Sequence, residues 1–175
     1  MGDSAEKPNS LTFFESRRKT VALFLSTTVN KLDKKGRVSV PAPFRAALGA
    51  DGGAQVILFR SPHHAALEGF APKFMDEISA RLDNFDLFSE SQDDLATTIF
   101  GEAVPLSIDD TGRIVLPQNM IDHAGLGEEV AFVGLGKKFQ IWSPKALSAR
   151  QDAARKNVKS KGLTLPRAKG EAAND

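Results

Sequence analysis

The chain has 175 residues, 41% hydrophobic and 26% charged, with a net charge of +1, a balance that suits one compact domain or two half-size units rather than a disordered chain. It contains no cysteine, which excludes disulfides, thiolate nucleophiles and cysteine-ligated zinc and suits a reducing cytoplasm. No apolar run approaches a membrane span, and Val21 to Leu25, behind Arg17, Arg18 and Lys19, is shorter than the roughly 7 residues a signal core needs, so no membrane role is expected.

Residues 1–19 are polar apart from Phe13 and Phe14 and predict a mobile N-terminal arm. Val21 to Asn30 predicts a strand, and Val38 to Val40 a return strand ended by Pro41. Pro43 opens a short helix through Phe44 and Leu48, stopped by Gly49. Gln55 to Phe59 and Ala66 to Phe70 predict buried strands. Phe74, Ile78, Leu82 and Phe85 then recur at helical spacing, and a second helix from near Ser91 carries Leu95 and Ile99. Asp109 to Pro117 is followed by a short helix from Gln118 to Ala124, stopped at Gly125. Strands over Glu129 to Val133 and Phe139 to Trp142 follow, and Ser143 with Pro144 opens a last helix. From about Asn157 the lysine-rich tail is expected to fray.

This order is a duplication. KLDKKGRVSVP, Lys31 to Pro41, returns as SIDDTGRIVLP, Ser107 to Pro117, 76 positions later, and the spacing drifts to 72 at the final strand. The predicted organisation is an arm (1–19), a first repeat with helices (20–101), a second repeat with a C-terminal helix (102–156) and a basic tail (157–175).

Within each phrase, three residues between aspartate and arginine can form a bulged hairpin turn, with Gly36 and Gly112 left-handed. The turn sets Asp33 opposite Arg37 and Asp109 opposite Arg113, close enough for a charge-assisted pair. One reading is that each pair only locks its hairpin. The other is that the aspartate aims the arginine: Lys31, Lys34, Lys35, Arg37 and Arg45 are all local, and exposed donors suit phosphates and guanine edges. The second loop, with Asp110 and Thr111 in place of the lysines, is expected to contribute mainly Arg113. The middle of the chain is acidic, at Asp76, Glu77, Asp83, Asp86, Glu90, Asp93 and Asp94, so the small net charge can hide a basic face.

Catalytic signatures are lacking. His63, His64 and His123 have no metal-ligand spacing and are expected at the surface. Gly134 to Lys138 lacks the upstream glycine and following Ser or Thr of a phosphate loop and predicts a turn. Trp142, Phe44, Phe59, Phe70 and Phe139 fit a core better than a base-stacking platform. Neither enzymatic activity nor a cofactor is expected.

The two D-x-x-G-R phrases, each followed by a short strand and proline, resemble the AbrB-like swapped-hairpin β-barrel. The tandem arrangement, with FLSTTVNKLDKKGRVSVPAPFRAAL, IDDTGRIVLPQNMIDHAGL and VAFVGLGKKFQIW, resembles the MraZ family over roughly Phe24 to Lys145. The resemblance implies an α+β, mainly β fold: two tandem repeats forming a pseudo-two-fold barrel with flanking helices. It also implies a transcriptional regulator of the division and cell-wall gene cluster, its own promoter included, located in the cytoplasm at the nucleoid. Such a protein binds short G-rich direct repeats in double-stranded DNA as a closed homo-oligomeric ring, an octamer or larger. Arg37 and Arg113 would then face DNA, with Asp33 and Asp109 orienting them. The alternative is an antitoxin-like relative whose main partner is a protein.

Overall fold

The computed structural model describes residues 22–50 and 54–166; the expected arm and Val21 lie outside them. The first repeat supplies β1 (Thr27–Lys31), β2 (Arg37–Ser39), α1 (Ala42–Ala50), β3 (Gln55–Arg60), β4 (Leu67–Phe70) and α2 (Phe74–Leu82). After α3 (Glu90–Ile99), the second repeat supplies β5 (Val104–Ser107), β6 (Arg113–Val115), α4 (Gln118–His123), β7 (Glu129–Gly134), β8 (Phe139–Trp142) and α5 (Pro144–Lys161). Among the described residues, helix α3 has no counterpart in the second repeat. The fold is α+β, and every strand pairing in it is antiparallel.

The repeats are interleaved. A six-stranded sheet runs β1-β7-β8-β4-β3-β5, and β2 and β6 form a separate ladder. Exchanging each strand for its counterpart (β1 with β5, β3 with β7, β4 with β8) returns the same order read backwards. In the ladder, Val38 lies opposite Ile114, and these two residues hold the same position in the repeated phrase. A pseudo-two-fold axis therefore passes between them.

Alternation along β2 and β6 turns Val38 and Ile114 inward and leaves their neighbours outward. The inward residues, with Val40 and Leu116, share one core with Val56, Leu58, Leu67, Phe132, Phe139 and Ile141 of the sheet. Phe44 of α1 enters that core edge-on to Phe24 and Phe132. The opposite side of the sheet is covered twice: Ile57, Phe59 and Phe70 pack with Phe74, Ile78 and Ile99, while Ala131 and Trp142 pack with Leu147 of α5. Among the described residues, no helix is long and apolar enough to cross a membrane.

Several boundaries differ from expectation for local reasons. The first strand is shorter than Val21 to Asn30, because Ser26 adopts φ 70° and Phe24 makes only an isolated bridge with Gly136. The return strand β2 pairs with β6 and not with β1, leaving a single bridge between Leu32 and Val38. Helix α1 runs through Gly49 to Ala50. Helix α2 ends at Leu82, so Phe85 falls in the following turn, exposed. At the other end of the chain, α5 does not fray at Asn157: it continues to Lys161 and is capped by Gly162 at φ 57°.

Candidate nucleic-acid interface

The turn before β2 is built by its aspartate. Asp33 Oδ1 accepts the backbone N–H groups of Lys35 and Arg37, both at 2.9 Å, while Oδ2 accepts Arg37 Nε at 2.7 Å. Gly36, at φ 76°, donates its N–H to the Asp33 carbonyl, a backbone conformation that disfavours a side chain. These bonds hold the Asp33 carboxyl below the usual carboxylate range, the Arg37 backbone N–H contributing most. The arginine is thus gripped through Nε alone; among the described residues its two Nη groups make no hydrogen bond.

The turn before β6 repeats this plan with one change. Asp109 Oδ1 accepts the backbone N–H groups of Thr111 and Arg113 and also the Thr111 hydroxyl, at 2.6 Å. That hydroxyl is the largest cause pulling the Asp109 carboxyl down to about 2. It also competes for the carboxylate: Arg113 Nε stands 3.3 Å from Oδ2, longer than in the first turn. Gly112 again takes a left-handed φ, 79°.

The ladder brings the two arginines onto one surface. Its outward face carries Arg37, Ser39, Arg113 and Val115. Arg37 pairs with Val115 and Arg113 with Ser39, which makes the arginines diagonal neighbours roughly 7–8 Å apart. Because the strands are antiparallel, the turns lie at opposite ends of this ribbon. Lys31, Lys34 and Lys35 are exposed around the first turn; Asp110 and Thr111 are exposed at the second.

Arg45 is placed differently from the other basic candidates. It is half-buried, its Nη1 donates to the Val40 carbonyl at 2.6 Å, and its guanidinium covers Gly112, where an added Cβ would meet it at 2.6–2.9 Å. Its counterpart by the 76-residue spacing is Ile121, which packs over Gly36. Each short helix therefore braces the turn of the other repeat. A residue not singled out from the sequence, Lys145 at the start of α5, lines a shallow groove with Lys31 and Lys34; only the cross-repeat pairing of β1 with β7 brings it there.

Lys137, Lys138, His64 and His123 are engaged within the fold. Lys137 pairs with Glu77 and Lys138 with Glu68, both at 2.9 Å, so the Gly134 to Lys138 segment is a pinned turn. His64 and His123 are half-buried, not on the surface as expected. His64 sits 5.3 Å from the Trp142 ring, with its pKa lowered chiefly by burial, and His123 Nε2 lies 3.2 Å from the His64 carbonyl. Among the described residues, no group of three or more His, Cys, Asp or Glu is placed to hold a metal.

A family profile described as "MraZ protein, putative antitoxin-like" matches residues 23–97 and 99–161, one segment on each repeat. The chain is 41% identical over 158 residues to the transcriptional regulator MraZ of Gluconobacter oxydans (strain 621H), covering 89% of this chain and 96% of that one. It is 43% identical to the protein of the same name in Gluconacetobacter diazotrophicus, over 83% of this chain and 93% of the relative. Against the one in Rickettsia rickettsii (strain Sheila Smith) identity is again 43%, over 82% and 96%. With its duplicated turns, its interleaved strands and these matches along nearly its whole described length, the chain belongs to the MraZ family.

Proposed function

We propose that this protein is a transcriptional regulator that binds double-stranded DNA, reading short G-rich direct repeats, its own promoter in the division and cell-wall gene cluster included. The observation that carries the reading is the paired grip on Arg37 and Arg113, each held at Nε by an aspartate at the base of an exposed turn. A guanidinium fixed in this way keeps its Nη donors for a guanine edge, where arginine binds O6 and N7 together. A two-stranded ribbon fits the major groove, and arginines roughly 7–8 Å apart match about two base-pair steps along a strand. Lys31, Lys34 and Lys35 supply phosphate contacts, and Arg45 acts by bracing the second turn.

The reading includes a swapped-hairpin barrel in which the ladder lies over the sheet, with the repeats divided at residues 101 and 102. It also includes assembly into a closed ring, an octamer or larger, working in the cytoplasm at the nucleoid. Repeated copies of a modest basic surface can grip repeated DNA elements through effective concentration, which accommodates a net charge of only +1.

The test is a fluorescence-anisotropy titration of the full chain against DNA from upstream of its own gene, beside a shuffled duplex, at two salt concentrations. Tighter binding to the native duplex that weakens with salt is expected. Replacing Lys34 and Lys35 by alanine should lower the log–log salt slope by about 0.9 for each phosphate that these lysines neutralise. Equal, weak binding to both duplexes would overturn the reading and favour the antitoxin-like alternative, a protein partner.

A further inference from the structure

Two helical elements are left largely uncovered by the other described residues. Helix α3 buries no residue, and the turn leading to it exposes Leu87 and Phe88, the latter by 90%. Exposed Asp83, Asp86, Glu90, Asp93 and Asp94 flank them in the sequence. At the other end of the chain, every residue of α5 from Arg155 to Lys161 is exposed. That stretch carries Lys156, Lys159 and Lys161, with Val158 and Leu163 exposed among them. A helix end with so little packing is marginal by itself.

Their positions are related by the internal symmetry. Helix α2 follows β4 as α5 follows β8, through Pro72 and Pro144, 72 positions apart. In the sheet Glu68 lies opposite Gln140, residues with that same 72-residue spacing, so the pseudo-two-fold axis passes here as well. The acidic α2–α3 arm and the basic α5 thus occupy equivalent places on either side of the axis. One copy presents an acidic apolar surface at one flank and a basic apolar surface at the other.

We infer that the α2–α3 arm of one copy docks against the exposed half of α5 of the next, carboxylates meeting lysines around a core of Leu87, Phe88, Val158 and Leu163. Because the two surfaces differ, the contact is head to tail and propagates, closing wherever the rotation per copy allows. Opposite charges also set its direction, since arm against arm or α5 against α5 juxtaposes like charges. The inference rests on the ring reading above and names the surfaces that build it.

Sedimentation velocity of the full-length protein tests it with two charge-reversed variants, Asp93→Lys with Asp94→Lys and Lys156→Glu with Lys159→Glu. Wild type should sediment as one large species. Each variant, with its helical circular dichroism retained, should lose that species, and a mixture of the two should regain it, because each reversed surface finds its complement on the other variant. Variants that keep the wild-type size overturn the contact while leaving the ring reading intact. Wild type sedimenting as single chains overturns both. A lysine variant that keeps its size but loses DNA binding overturns the contact and assigns α5 to DNA.

Discussion

Glu68 and Gln140 hold the same position of the two repeats and bond to each other across the pseudo-two-fold axis, Gln140 Nε2 donating to Glu68 Oε1 at 2.7 Å. Both are buried. Ser61 Oγ and Lys138 Nζ also donate to the Glu68 carboxylate, each at 2.9 Å, and Trp142 Nε1 donates to Gln140 Oε1. Two glutamates here would set two acceptor-only carboxylates face to face; one acid and one amide satisfy each other. Gln140→Leu strands the Trp142 N–H and removes one donor to Glu68, and should cost about 1–3 kcal/mol. Chemical denaturation should show the loss, with the overall fold by circular dichroism unchanged.

Arg37→Ala should weaken binding to the native duplex by about 1–3 kcal/mol, roughly 5-fold to 150-fold, and change binding to the shuffled duplex little. Arg37→Lys should not restore it, since an ammonium has no planar fork. Arg113→Ala should have the smaller effect, because Thr111 draws on Asp109 and leaves that arginine less tightly held. Anisotropy with both duplexes measures all three.

The two turn glycines should rank unequally. Either alanine carries the left-handed penalty of about 1–2 kcal/mol. At Gly36 the new Cβ would also stand 2.8 Å from the Leu116 carbonyl oxygen, which is backbone, whereas at Gly112 it meets the movable Arg45 side chain. Gly36→Ala is therefore expected to be the more destabilising in denaturant titrations. Arg45→Ala should relieve part of the Gly112→Ala cost.

Asp109 gives the turn a defined acid response. Its pKa in the folded chain, about 2, lies below its ordinary value of 3.8. Its contribution to stability is therefore complete above that ordinary value and disappears as pH falls through about 2. Carboxyl NMR should show a midpoint near 2 for Asp109. Melting curves of wild type and Asp109→Asn should differ by a constant amount from about pH 5 to 8 and converge only in strong acid.

The turns were legible because their chemistry is local: an aspartate, a left-handed glycine and an arginine within five residues fix one another whatever surrounds them. Most of the strands and the third helix were legible from periodicity, but β5, Val104–Ser107, was not read as a strand. What the sequence hid is long-range. Nothing near Val38 says that its partner is Ile114 rather than a residue of β1, and Arg45 looked like one more surface cation because the glycine it covers lies 67 positions away. The length of α5 was hidden for another reason: its last two turns are polar apart from Val158, and composition suited a frayed tail.

The pairing of β1 with β7 also bears on synthesis. Thr27 to Lys31 find their partners only at Glu129 to Val133, and each turn carbonyl, Gly36 and Gly112, accepts an N–H from the strand beyond the other turn. While the ribosome is still making the second repeat, the first has edge strands with nothing to join and half a core open to water. Closing this core therefore waits for the second repeat, and until then the nascent first repeat is exposed to aggregation.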